Sequence, residues 1–206
     1  AALGQSGKDV TEQTQTGILR DTAVAATAMD LDDQTAGDYM AKWEASFTKR
    51  DADGNKVNYS HDDVMRLMNQ INYLGANSAT TAAEIASSVN KSASIGQLAG
   101  VDPSTTAAIA TAMQATGVDT ERTGTTISRI YTNISKGSSA TKAQHEMWEE
   151  LGFTATGIAS SMQKDGTETL MKVFGAINQL PDERKIAALN TLFNQWAVEG
   201  SAKVTN

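Results

Sequence analysis

Cysteine is absent from the 206-residue chain. This excludes a disulfide scaffold, a thiolate zinc site and a cysteine nucleophile. Only two histidines occur, too few for a multi-histidine catalytic metal centre. Proline occurs twice and aromatic residues make up 5% of the chain. Basic residues are outnumbered, 17 against 24 acidic, which leaves a net charge of −7 and a pI near 4.8. That balance argues against a protein that wraps nucleic acid by charge alone. No apolar run reaches the ~18 residues a membrane-spanning helix needs. The start, Ala1-Ala2-Leu3-Gly4, has no Met and no basic stretch ahead of an apolar one, so it is not a signal peptide. It reads as an internal piece of a longer protein.

Alanine and threonine together supply about a quarter of the residues, and 40% of the chain is apolar. The apolar residues recur at helical spacing and the charge is modest, so this is not a disordered composition. The length suits one good-sized domain or two small ones. Residues 1–16 are polar and Gln/Thr-rich and read as a flexible lead-in. Ile18, Leu19, Thr22, Ala25, Ala26 and Met29 fall on one helical face, and Ala36, Tyr39, Met40, Trp43 and Phe47 on another, over 34–47. The polar stretch Thr48 to Tyr59, with Asp53-Gly54 as a turn signal, is the clearest loop. It can close a small hairpin of Thr48–Arg50 against Lys56–Tyr59.

Ser60 then serves as an N-cap, with Asp62 and Asp63 at the positive end of the helix dipole. Val64, Leu67, Met68, Ile71 and Leu74 follow at i, i+3, i+4, i+7 and i+10, with Gly75 placed as the C′ residue. Thr81 to Glu84 matches a capping box, ahead of Ile85, Val89, Ala93 and Leu98. Asp102-Pro103 starts the next helix, which carries Ile109, Ala112 and Met113 and closes at Gly117. Asp119 starts another, with Ile127, Ile130, Tyr131 and Ile134 as its face and Gly137 as its stop. Helices over about 140–151 (Met147, Trp148, Leu151), around Ile158, Ala159 and Met162, and through Leu170, Val173, Phe174, Ile177 and Leu180 come next. Pro181-Asp182-Glu183 opens the last, with Ile186, Leu189, Leu192, Phe193 and Trp196 aligned. The unit is a cap, a helix and a glycine, about nine times over, without a strict repeat. The expected fold is all-α.

Each motif with chemical potential has a plainer reading. Asp51, Asp53 and Asn55 resemble the first three ligands of a calcium loop. Lys56 then stands where the turn glycine belongs, and Asp62 where a bidentate Glu belongs, so a solvated turn is favoured. His145-Glu146 begins like a helical zinc motif, but position 149 is Glu instead of the second His; His145 and Glu149 read as a surface pair. Asp119 and Glu121 with Arg122 form a carboxylate pair of the type used in acid–base catalysis, yet such residues commonly start helices for dipole reasons. Trp43, Trp148 and Trp196 read as core. No catalytic, cofactor or metal site is assigned.

The order of several small motifs from Val64 to Gly137 resembles the core region of the phage tail tape measure (phage minor tail) proteins. The features are Asn72-Tyr73-Leu74-Gly75, Ala82-Ala83-Glu84-Ile85-Ala86, Ala99-Gly100-Val101, Ala107-Ala108-Ile109-Ala110, Thr116-Gly117-Val118 and Gly124-Thr125-Thr126-Ile127-Ser128-Arg129-Ile130. The flanks fit as well: Ala23 to Trp43, Leu151-Gly152, and Arg184 to Phe193. Two departures are the polar insertion 48–59 and the lack of a glycine after Leu192-Phe193. The resemblance implies a structural, non-enzymatic segment that serves tail length determination and tail assembly, in the virion tail and, during assembly, in the host cytoplasm. It implies tail tube, tail tip or baseplate, and tail assembly chaperone proteins as partners, with self-association, and neither a small-molecule substrate nor membrane contact. Residues 17–137 would form the helical core and 138–206 the C-terminal portion of the same domain. The rival readings are a cell-wall-active, muramidase-like helical module, with Glu121 or Glu150 as the acid, and a helical adaptor.

Overall fold

A computed structural model describes residues 17–193. Its helices begin where the sequence supplies an oxygen for the otherwise unpaired first-turn N–H groups. Among the described residues there are ten: α1 (Ile18–Met29), α2 (Asp33–Ser46), α3 (His61–Ala76), α4 (Ala82–Leu98), α5 (Pro103–Gln114), α6 (Thr120–Ile134), α7 (Lys142–Glu150), α8 (Ala155–Lys164), α9 (Gly166–Asn178) and α10 (Asp182–Phe193). Eight of them, α2 through α9, start on an Asp, Ser or Thr whose side chain accepts a backbone N–H of the first turn. Each such cap is worth about 1 kcal/mol. The expected box at Thr81 and Glu84 is reciprocal: Glu84 N–H donates to Thr81 Oγ1 at 3.2 Å, and Thr81 N–H to Glu84 Oε2 at 3.0 Å.

The only strands among the described residues are β1 (Thr48–Arg50) and β2 (Lys56–Asn58), antiparallel, with Lys49 opposite Val57. This is the hairpin that Asp53-Gly54 announces, so the chain is all-α but for this ribbon. A short 3₁₀ turn over 137–139 precedes α7.

Helix α4 packs against α2, α3, α5 and α6, and α6 reaches across to α8 and α10. The α4–α6 approach is close because α4 offers small residues there. Ser88 Oγ donates to Thr120 O at 3.4 Å, and a Cβ on Gly96 would lie 3.4 Å from the Tyr131 ring. One buried cluster runs from Ala25 to Phe193 and takes in Trp43, Ile71, Ile85, Ile127, Tyr131, Trp148 and Leu189. An aromatic row follows α2 at i, i+4 and i+8. Tyr39 stacks on Trp43 at 5.5 Å, Trp43 meets Phe47 at 5.8 Å, and Phe47 meets Tyr59 beyond β2 at 5.7 Å.

Several expectations need correction. Leu98 is 71% exposed and Ile186 54% exposed, so neither is core; both sit on apolar-looking helical positions that no other described element covers. Gly75 is not a C′ residue, because α3 continues through it to Ala76. Its missing side chain admits the backbone of Ala82, whose nitrogen would lie 2.4 Å from a Cβ there. The helix expected over 140–151 begins at Lys142, since Thr141 is its cap. Trp43 and Trp148 are buried as expected. The 1–16 lead-in and Trp196 lie outside the described residues. No described helix is long and apolar enough to cross a membrane.

Candidate functional site

The residues flagged for chemistry are spread over the surface, and most are already engaged. Asp51 Oδ1 accepts the N–H groups of Asp53 at 3.0 Å and Asn55 at 2.8 Å. The Asn55 backbone bond is the main influence that holds the Asp51 carboxyl below its ordinary range. Arg50 Nη1 closes the same turn on Gly54 O at 2.8 Å. The carboxylate thus points into its own backbone, as an Asx turn does, and Asp53 and Asn55 stand exposed. No cluster of three His, Cys, Asp or Glu residues able to hold a metal occurs among the described residues.

On α7, Glu146 pairs with Lys142 at 3.7 Å. Glu150 is gripped by Arg184 of α10, through Nε to Oε1 at 3.0 Å and through Nη2 to Oε2. Asp119 caps α6 by accepting Arg122 N–H at 2.9 Å. Glu121 pairs with Lys91 and is 84% exposed. An acid with a raised pKa needs a desolvated pocket, and Glu121 has no such burial. His61, the first residue of α3, lies between Asp21 at 3.1 Å and Glu44 at 3.2 Å, and so links α1, α2 and α3. A neutral imidazole donates to only one of them.

The chief concave feature gathers around the hairpin. Lys49 Nζ binds Asp63 Oδ1 at 2.7 Å, and Arg66 binds the same oxygen. Asp63 is 7% exposed and also completes the Ser60 capping box, accepting Ser60 N–H at 2.9 Å. Burial pushes its carboxyl up, but hydrogen bonds from Lys49 and Ser60 prevail and hold it well below the usual carboxylate range. Gln97 of α4 clamps Thr48: Thr48 N–H donates to Oε1 at 3.1 Å, and Nε2 donates to Thr48 Oγ1. Tyr59 O–H reaches Asp102 Oδ2 at 3.4 Å. Burial, and next the charge of Asp102, raise the Tyr59 phenol above its ordinary value. The hairpin is therefore fastened to α3, α4 and the start of α5.

Below it the α4–α5 turn meets the α8–α9 junction. Gly166 N–H donates to Gly100 O at 3.1 Å, Asp102 N–H to Thr167 Oγ1 at 3.1 Å, and Gln163 Nε2 to Leu98 O at 3.1 Å. Gly100 has φ +72°, and a Cβ on Gly166 would meet Ala99 O at 2.4 Å. Only glycine permits this backbone-on-backbone contact. Between hairpin and floor lies an open cavity of about 540 Å³, with Lys49, Arg50 and Lys56 on one wall and Lys164 and Glu168 on the other. A second, of about 230 Å³, shares Lys49, Asp102 and Ser104 with it. A third, of about 440 Å³, shares Ser104 and Gln70 with the second and is walled by Tyr73, Leu74 and Ala108. The three make one trough. Sequence reading missed it, because its parts lie on five separated segments. The one available signal is the cation pattern Lys49-Arg50 and Lys56 about the turn.

Fold and surface together define an all-α module knit by helix caps and by a glycine-dependent seam. The chain belongs to the phage-related minor tail protein family, whose model matches residues 1–194. It is similar to a probable tape measure protein of Halomonas phage phiHAP-1, at 28% identity over 181 residues. That match covers 88% of this chain and 20% of that protein, so the chain spans about a fifth of the relative's length. No solved structure matches the chain.

Proposed function

We propose that the chain is a structural segment of a phage or prophage tail tape measure protein and acts in tail length determination and tail assembly without catalysis. The observation that carries this is the family match along nearly the whole chain, joined with the likeness to one fifth of a probable tape measure protein. Its partners on this reading are the tail tube, tail tip or baseplate, and tail assembly chaperone proteins, together with further copies of itself. It works in the virion tail and, before that, in the host cytoplasm. Residues 17–137 serve as the helical core, and 138–206 as the C-terminal portion of the same domain.

Drawn out as one helix, 206 residues would span about 300 Å at ~1.5 Å per residue. The described helices instead pack on one another around one buried cluster, and in this reading that is the state outside the tail tube. The test is an in-frame deletion of the segment in the parent phage, with tail lengths read by electron microscopy. Tails shortened by a constant amount mark it as part of the ruler, and loss of tails marks it as needed to start assembly. Infectious particles with unchanged tails would overturn the proposal.

A further inference from the structure

The trough beside the hairpin carries an assignment that does not depend on the tail reading. Four acidic residues line it, and all are engaged. Asp63 is bound by Lys49 and Arg66. Asp102 and Asp165 hold the first turns of α5 and α9, accepting Ser104 N–H and Glu168 N–H, each at 2.8 Å. Glu168 pairs with Lys172 at 2.6 Å. Lys56 and Lys164, on facing walls of the 540 Å³ cavity, have no carboxylate partner among the described residues. A chain of net charge −7 therefore gathers five basic side chains, Lys49, Arg50, Lys56, Arg66 and Lys164, against four carboxylates along this trough. The far end differs in kind: Tyr73 is 68% exposed and forms an apolar seat with Leu74 and Ala108.

We propose that this trough docks an extended acidic segment of a partner protein, with carboxylates on Lys56 and Lys164 and one apolar side chain against Tyr73 and Leu74. Charge complementarity selects the acidic segment, because complementary potentials steer and orient an encounter. The apolar seat selects a polypeptide, which can carry an apolar side chain among its carboxylates, over a nucleic acid. The backbone of the Gly100–Gly166 contact and the Gln97 clamp hold the two walls in place, so the trough is formed before the partner arrives.

The experiment is fluorescence anisotropy on the whole chain. The probe is a fluorescein-labelled twelve-residue peptide with one Leu followed by alternating Glu and Ser, and the control is the same peptide with Gln for Glu. We expect saturable binding of the Glu peptide below about 1 mM, weakened about tenfold between low and high salt. Lys56→Glu with Lys164→Glu, both exposed, weakens it about tenfold and leaves the melting curve in place. Tyr73→Ser weakens it about fivefold and leaves the salt dependence unchanged, as loss of an apolar contact should. Equal binding of the Gln peptide, undiminished binding by the double variant, or no binding of the Glu peptide would each overturn the proposal. So would tighter binding of a thymidine oligonucleotide of like charge, which makes the trough a phosphate groove. Sedimentation of the chain alone covers the remaining occupant: concentration-dependent association abolished by the double variant would assign the trough to a second copy, and overturn the acidic partner.

Discussion

Alanine at Gly166 and alanine at Gly175, two positions of the same helix α9, should move stability in opposite directions. At Gly175 nothing lies within 4 Å of a new Cβ. The change there gains helix propensity, about 0.5–1 kcal/mol. At Gly166 the same methyl would lie 2.4 Å from Ala99 O and 2.5 Å from Gly100 C and O. These are backbone atoms, so no rotamer relieves the clash, and the α4–α5 turn must retreat by about 1 Å to reach ordinary contact. Overpacking of this kind costs about 1–3 kcal/mol. The retreat also strains the bond from Gly166 N–H to Gly100 O, in a place where an unmet polar group costs about 1–3 kcal/mol. Net of the helix gain, Gly166→Ala should destabilise by about 2–4 kcal/mol. For a chain of this size that is a melting temperature lower by about 8 °C, against a rise of about 2 °C for Gly175→Ala. Thermal melts followed by circular dichroism decide it. A Gly166→Ala protein melting at or above the parent temperature would refute the claim that backbone contact joins the two turns.

Three further perturbations test other joints. Gln114 is buried between α4 and α6, where its Nε2 donates to Glu84 O at 3.1 Å and Ser88 Oγ at 3.0 Å while its Oε1 accepts from Thr80 at 3.2 Å; Gln114→Ala should cost about 3 kcal/mol by urea titration. Asp63→Asn should cost about 2 kcal/mol at neutral pH, because hydrogen bonds to a charged acceptor are lost. The folded state holds that carboxyl below its unfolded value, so its contribution is full above an unfolded pKa of about 3.9 and fades as pH falls toward the folded one; the gap between wild type and Asp63→Asn should narrow from pH 7 to pH 3, and a constant gap would contradict the assignment. Gln97→Ala should speed amide exchange in Thr48–Arg50 and Lys56–Asn58 about tenfold or more, while the amides of α4 beyond the first and last turns stay protected.

Local grammar made most of the fold legible. A cap oxygen and an apolar face at 3.6 spacing mark most helices within one short window, and Ser60, Thr81, Asp102 and Asp119 all cap the helices they announce. The errors fall where a side chain's fate depends on what lies across from it. Leu98 and Ile186 obey the period yet stand exposed among the described residues. Gly75 looks like a stop because glycines often are; its actual use is the close passage of Ala82, which no neighbouring residue signals. The buried polar positions Ser88, Ser92, Gln114 and Thr123 were equally opaque, since whether such residues are buried is decided by partners on other helices.

The trough shows the same limit from the side of function. The polar stretch 48–59, read alone, is a solvated turn with a defective calcium signature, although the family model matches through it. Folded, it is a wall. Asp51 spends its carboxylate on the turn, Arg50 closes the turn on Gly54, and Lys49 is drawn to Asp63, fourteen positions on. What remains outward is Lys56, facing Lys164 from a helix more than a hundred positions away. Acidic ligands for a cation were the natural thing to seek in Asp-x-Asp-x-Asn. The structure turns the Asp51 carboxylate onto its own turn, leaves Asp53 exposed, and sets Lys56 on the wall of the trough.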